Sequence, residues 1–433
     1  MPGGYMHLES MGDMDDYLFV NPELTFFKSV YRRYTNFSQE IMDISALTIG
    51  VQGTYTFGGK TSVTIPRNGD LAGNFFLEVK LSNTNTHCYG LGNAFIESAE
   101  LTIGGQSIEI LYGNSMNIIG ELTQNDEKRA IWDKFVGNHA DKDCNKLLIP
   151  LPFFCSDVEN YIQLIAMSYY EARINIKFAS REKLMLPEDC KIESVKLCVN
   201  YIYLDIDERR RIAQAPNEFL VTSYGYMADH VFTVDQLNPI SNQIINISSG
   251  NQPTSEIFWI VQNENGQPCQ SVCLHNDIHA QYTFNINKYT AYMYKPLEYA
   301  HLCNPYSYNT NTPRTGNIYS VPKTKDVLAP VNTNQTNTNN SQTSTIGASL
   351  GLSGNRYLKN GTKYNQYIYS HSFSFDPDGK SQPAGTINLS RLEQITLELR
   401  NIKLEPGNYV VTVYKKYYNV LRYASGMGGL AFF

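Results

Sequence analysis

The densest group of metal-ligating side chains in the sequence is Cys269-x3-Cys273-x-His275-x3-His279. Thiolate sulfur and imidazole nitrogen are the ligands that Zn²⁺ prefers. The spacing argues against a ββα finger, which places about a dozen residues between its Cys pair and its His pair. On a strand the four side chains would share one face, yet they would span too far for one ion. Ordinary buried thiols with loop histidines is therefore the preferred reading, and no metal or other cofactor is expected. Asp376 and Asp378 form the nearest thing to a carboxylate pair late in the chain. They flank Pro377 just before Gly379, which is a turn signature rather than an acid/base pair.

Other candidate chemistry is equally sparse. Gly426-Met427-Gly428-Gly429 has no helix after it to bind phosphate, so it reads as a tight backbone passage or a flexible tail. No Gly-x4-Gly-Lys-Ser/Thr loop and no catalytic pair is read elsewhere, so an enzyme is not expected. Tyr31-Arg32-Arg33-Tyr34 follows Phe26-Phe27. Two Arg between two Tyr could stack on and hydrogen-bond a partner chain. As a nucleic-acid site they would be one small patch in a chain of net charge −6. An anchor within or between chains is preferred, and no direct nucleic-acid contact is expected. Asn-x-Ser/Thr sequons occur at Asn36, Asn246, Asn334, Asn339, Asn360 and Asn388. The candidate modified positions are Asn334, Asn339, Asn360 and Asn388, although an Asn/Thr-rich stretch generates sequons by composition alone.

Such residues need a scaffold, and composition points to β structure. The 433 residues include 31 Tyr and 20 Phe against 2 Trp, with 18% charged and 42% hydrophobic residues. This is too apolar for disorder, and Tyr and Phe suit pleated, half-buried surfaces. No run approaches the ~18–20 apolar residues needed to span a bilayer. No secretory leader is read at Met1-Pro2-Gly3-Gly4, so the 8 Cys are expected as reduced thiols in a cytosolic compartment.

Residues 1–25 sustain no periodicity and read as an extended arm. Period-2 alternation marks strands at 171–178 and 194–204, with shorter ones at 43–51, 54–65 and 74–81. Leu101-Thr102-Ile103, then Gly104-Gly105, then Ser107-Ile108-Glu109-Ile110 reads as a hairpin. A helical excursion is expected over 121–137. A second helix is expected over 205–215, with Asp205 and Glu208 at capping-box spacing and Pro216 as a stop. The run Glu208-Arg209-Arg210-Arg211 reads as that helix's solvated face. Strand candidates resume at 226–234, 244–247, 256–262 and 281–286. Ile395, Leu397 and Leu399 share a face, and the apolar set then slips by one to Ile402 and Leu404. That slip predicts a β-bulge at Arg400-Asn401, and Tyr409, Val411 and Val413 mark a last strand. Between them, 301–365 reads as a long surface loop containing the uncharged tract 332–341.

Several of these strings resemble the major capsid proteins of nucleocytoplasmic large DNA viruses. The start Asn21-Pro22-Glu23-Leu24-Thr25-Phe26-Phe27-Lys28-Ser29-Val30-Tyr31-Arg32-Arg33-Tyr34-Thr35-Asn36-Phe37 is similar to the signature of that family. Arg67-Asn68-Gly69-Asp70-Leu71, Leu151-Pro152-Phe153-Phe154, Tyr201-Ile202-Tyr203-Leu204-Asp205 and the end Ser425-Gly426-Met427-Gly428-Gly429 follow in order. The resemblance implies an all-β chain of two tandem eight-stranded antiparallel jelly rolls with short helical excursions. Its parts would be an arm over 1–25, a first roll over 26–215 and a second over 216–433. It also implies a homotrimeric capsomer that meets neighbouring capsomers, minor capsid and penton proteins, and through minor proteins an internal viral membrane. Assembly in the host cytoplasm and residence in the virion follow from the same likeness. Phe26, Phe27, Tyr31, Arg32, Arg33 and Tyr34 would fix the arm to the capsomer base, unless the two Phe enter their own domain's core. The C-terminal segment from Leu421 would dock back onto the fold. The rival readings are a minor or paralogous shell protein and a glycan-binding attachment sandwich.

Overall fold

In Ala172–Phe178 the residues Ala172, Ile174, Ile176 and Phe178 are buried while Arg173, Asn175 and Lys177 face outward, so the alternation read in the sequence is realised. The computed structural model describes residues 3–45, 55–82, 90–137, 145–236, 240–247, 250, 252–264, 266, 269–286, 289–290, 293–314, 366–379, 382–392 and 394–432. The tract 332–341 and most of the long insertion lie outside them. Residues 1–37 form one unit and 38–433 another. The first unit is not the extended arm expected, because Gly3–Glu9 (α1) and Asp15–Phe19 (α2) are short helices.

The strands of the larger unit run β1 (Phe37–Ser45), β2 (Lys60–Thr64), β3 (Leu71–Leu81), β4 (Ile96–Ile103), β5 (Gln106–Tyr112), β6 (Lys146–Leu151), β7 (Ile162–Gln163), β8 (Ala172–Phe178) and β9 (Ile192–Leu204). They make two sheets, ordered β1-β9-β3-β6 with β7 added to β3, and β2-β8-β4-β5. Leu77, Val79 and Leu197 from one sheet meet Ala99, Leu101 and Ile174 from the other in one core. After it come β10 (Asn217–Val234), β11 (Ile240–Ile247), β12 (Pro253–Asn263), β13 (Gln281–Ile286), β14 (Tyr289–Thr290), β15 (Lys295–Pro296), β16 (Tyr369–Ser372), β17 (Ile387–Asn388), β18 (Ile395–Lys403), β19 (Gly407–Ala424) and β20 (Met427–Leu430). These order as β10-β19-β12-β16, with β17 on β12 and β20 on β19, and as β11-β18-β13-β14, with β15 on β13. Trp259, Tyr282, Phe284, Tyr369 and Leu397 centre the second core. Each sheet's main path has four strands, so the chain is two tandem eight-strand sandwiches.

Register shifts interrupt several of the ladders, and two of them bear on the sequence pattern. Ser241 faces Ile402 and Gln243 faces Leu399, so Arg400 and Asn401 oppose Asn242 alone, where the sequence slip predicted it. Asn401 takes φ +56°, and its N–H donates to Asn242 Oδ1 (2.8 Å). The second bulge was not predicted. Leu101 faces Glu109 but Thr102 faces Ser107, which leaves Ile108 extra. This inverts the alternation after the Gly104-Gly105 turn, so Glu109 is buried and Ile110 is exposed.

The helices also differ from expectation. Instead of one helix over 121–137 there are two, Gly113–Leu122 (α4) and Asp126–Phe135 (α5), preceded by the short Leu91–Phe95 (α3). Ile206–Gln214 (α6) has Asp205 at its N-cap position but no side-chain cap bond, so the capping box does not form. Arg209, Arg210 and Arg211 are all exposed, and Arg209 also pairs its Nε with buried Asp70 (3.1 Å). The expected loop from His301 begins later. A π-turn over Tyr299–Cys303 leads into Asn304–Tyr308 (α7), with His301, Asn304 and Pro305 buried.

The expected division at 215/216 is not a division of the cores. β10 and β19 are each 18 residues long, roughly 60 Å of strand, and pair along almost their whole length. At one end Val221, Leu421 and Tyr423 belong to the first core; at the other Val234, Tyr409 and Val411 belong to the second.

Candidate interaction surfaces

The arm residues are exposed within the unit formed by residues 1–37. Within the first unit Phe26 is 87% exposed and Phe27 98%. Tyr31 and Tyr34 are 81% and 84% exposed, and Arg32 and Arg33 are exposed beside them. Local bonds are few: Phe27 N–H donates to Thr25 Oγ1 (3.3 Å), and Tyr34 meets Phe37 edge-on with centroids 6.5 Å apart. Exposed aromatic and Arg side chains in one segment are the composition of binding anchors.

The two sandwiches meet at a seam that is part apolar and part ionic. Strand β12 is buried on both faces because its sides serve different cores. Ile257, Trp259 and Val261 point into the second core, whereas Phe258 and Ile260 pack with Ile118 and Leu122 of α4. Beside them, Arg314 bridges two buried carboxylates. Its Nε and Nη2 reach Glu121, and its Nη1 reaches Asp133 Oδ2 (2.8 Å). Arg129 Nη1 donates to Thr312 O (2.8 Å), and Asn311 N–H to Leu122 O (2.9 Å). Residues 311–314 are thus bolted to α4 and α5 of the first sandwich. Glu109 accepts from the N–H of Phe154 (2.8 Å) and of Tyr224 (3.1 Å), one on each side of the seam. Burial pushes its carboxyl up to about 8, against the pull of those two donors. None of these ionic residues was singled out from the sequence; only the five-residue apolar run in β12 hinted at two-sided burial.

The described chain matches family models for the major capsid protein N-terminus over residues 25–205 and the large eukaryotic DNA virus major capsid protein over 208–429. The chain belongs to the major capsid proteins of large eukaryotic DNA viruses. Along the full length of both chains it is 31% identical to the major capsid protein of Pyramimonas orientalis virus. It is likewise 28% identical to that of Paramecium bursaria Chlorella virus 1. The PBCV-1 virus capsid structure has the same fold, with a TM-score of 0.72 at 23% identity over 94% of this chain and 99% of that one. The Faustovirus major capsid protein follows at 0.64 and 10% identity, over 96% and 94%.

The capsid protein's other candidates fall in ordinary places. Cys269, Cys273, His275 and His279 lie on irregular chain after β12, so no strand aligns them. His275 stacks on His301 with centroids 5.0 Å apart, and burial lowers both imidazoles, His301 to about 4. Among the described residues no His/Cys/Asp/Glu group is arranged to hold a metal ion. The described cysteines, at 155, 190, 198, 269, 273 and 303, are in the thiol form, outside any disulfide. Gly426 is a tight passage. Its φ is +78°, and a Cβ there would lie 2.8 Å from the Tyr169 ring. The C-terminal segment does dock, since Tyr169 N–H donates to Gly426 O (3.0 Å) and β20 pairs with β19, but Phe432 stays 63% exposed. Asn36, Asn246 and Asn388 are exposed; Asn334, Asn339 and Asn360 lie outside the described residues. A Gly347-Ala348-Ser349-Leu350-Gly351 string, which has the spelling of a nucleophile elbow, also falls outside them.

Proposed function

We propose that three copies of this capsid protein close into a pseudo-hexagonal capsomer, and that capsomers tile an icosahedral shell. The observation that carries this reading is the locked pair of sandwiches. A ribbon shared by both cores and a buried seam leave each chain as a block with two similar lobes, so three chains present six. A three-fold contact is heterologous, and each block must offer two different surfaces to its neighbours. In this reading 1–25 is the arm, and 26–215 and 216–433 are the two rolls. Phe26, Phe27, Tyr31, Arg32, Arg33 and Tyr34 anchor the arm at the base, where minor capsid proteins and, through them, an internal membrane are met. Asn334, Asn339, Asn360 and Asn388 are the candidate glycan carriers. The protein is made in host cytoplasm and resides in the virion, without contacting the genome.

Negative-stain images of the purified protein test this reading. Trimers of hexagonal outline are expected, and removing residues 1–25 should leave each lobe folded while shells fail to assemble from otherwise intact capsomers. Shell assembly at an unchanged rate after that deletion would remove the arm from the account.

A further inference from the structure

Lys416 of β19 faces Glu256 of β12 directly across the antiparallel ladder, which puts both side chains on the same face of the sheet. Lys416 Nζ lies 2.8 Å from Asp378 Oδ1, in the Asp376-Pro377-Asp378-Gly379 turn, 38 residues earlier in the chain. All three side chains are withdrawn from water: Lys416 is 6% exposed, Asp378 11%, and Glu256 fully buried. Asp378 Oδ2 accepts two further bonds, from Thr310 N–H (2.8 Å) and Thr310 Oγ1 (3.0 Å). Glu256 Oε2 accepts from Asn309 Nδ2 (3.1 Å), while Oε1 is buried and makes no well-formed hydrogen bond. The Tyr224 ring lies 5.5 Å from Lys416 Nζ.

As a plain ion pair this site is poorly balanced. Two buried carboxyls share one ammonium, and removing such charges from water costs about as much as their attraction returns. Burial accordingly pushes Glu256 up to about 8, so that carboxyl carries its proton near neutral pH. Burial works against the Lys416 ammonium, but its acidic neighbours outweigh that and hold its proton above the usual lysine range, so a free amine is reached only by proton transfer inside the site. A proton passing from Lys416 Nζ to Asp378 leaves an amine already in contact with the carboxyl it can attack, and such held proximity replaces a large part of the barrier.

We propose that Lys416 and Asp378 condense to an intramolecular isopeptide bond, with Glu256 as the group that moves the protons. Nζ attacks Asp378 Cγ. The developing charge falls on Oδ2, where the Thr310 N–H and O–H already point. Glu256 gives its proton to the departing Oδ1 hydroxyl and recovers one from nitrogen. A C–N bond forms, a C–O bond breaks, and one water leaves, with no change of oxidation state. The water has an exit, since Asp378 and Lys416 line a groove of about 660 Å³ that also touches Thr310, Lys128 and Trp132. The bond would brace the turn after β16 against β19 without an oxidant, in a chain whose described cysteines all lie outside any disulfide.

The test is mass spectrometry of the full-length protein, denatured and digested with trypsin. The linked form yields peptide 364–380 joined to 416–422, uncut after Lys416 and lighter by one water than the two peptides together. Glu256→Gln should bring that species from dominant to undetectable. Lys416→Arg keeps a cation opposite Asp378 but cannot form the amide, so it separates failed reaction from failed folding. A wild-type digest with free peptides 364–380 and 417–422, and no linked species, overturns the proposal whatever the variants do.

Discussion

Glu109 is the residue most at odds with what its neighbours in sequence suggest. Within Ser107-Ile108-Glu109-Ile110 simple alternation sends the carboxylate to solvent, and one extra residue at Ile108 turns it inward instead. Nothing in the residue types marks that bulge, whereas the bulge at Arg400-Asn401 was legible because the apolar set itself changes phase there. The consequence is measurable. A carboxyl at about 8 in the folded chain and near 4.5 when unfolded is bound to its proton more tightly in the fold. Its contribution to stability is complete below pH 4.5 and is lost as pH rises through about 8. Glu109→Gln should lose one of the two acceptors and be less stable at acid pH. Its midpoint in denaturant should then fall less steeply between pH 5 and 8 than that of wild type, by the equivalent of a few kcal/mol over that window. Parallel pH profiles for the two chains would show that Glu109 does not titrate in that range.

At the scale of elements, strands were read well where one face is wet and poorly where partners lie far apart. Ala172–Phe178 and Ile192–Leu204 announce themselves by alternation. The helices of the first sandwich do not, because α4 is buried on two sides, with Met116 and Ile119 in the first core and Ile118 and Leu122 against β12, more than a hundred residues away. The strap 311–314 is polar in composition, which in sequence marks a loop, and its polar groups bond to α4 and α5. Arg314→Ala would leave the buried Glu121 and Asp133 to share Arg129, whose Nη1 lies 3.6 Å from Glu121 Oε2, and breaking such a buried pair typically costs about 3–5 kcal/mol. Arg211→Ala, which breaks only the exposed pair with Glu208, should cost less than about 0.5 kcal/mol. Equilibrium unfolding in urea compares them; equal costs would mean the strap contributes nothing to the seam.

For the whole molecule, the sequence conveyed two β-rich halves and a helix between them, and the family likeness supplied the jelly-roll topology. What it did not convey is that β10 and β19 run through both cores. That pairing joins residues nearly two hundred apart, and no local pattern records it. The ribbon ties the two lobes to each other, and the exposed aromatics within residues 1–37 suit a life among neighbours. Replacing 332–341 by a Gly/Ser linker should leave assembly of capsomers unchanged, because the ribbon and the described seam are built from other residues. The most direct check of the central claim is the mass of the purified protein in solution by light scattering coupled to size exclusion. The account predicts a stable species at three times the 49.0 kDa chain mass that persists on dilution. A single species at 49.0 kDa across the concentration range would contradict it.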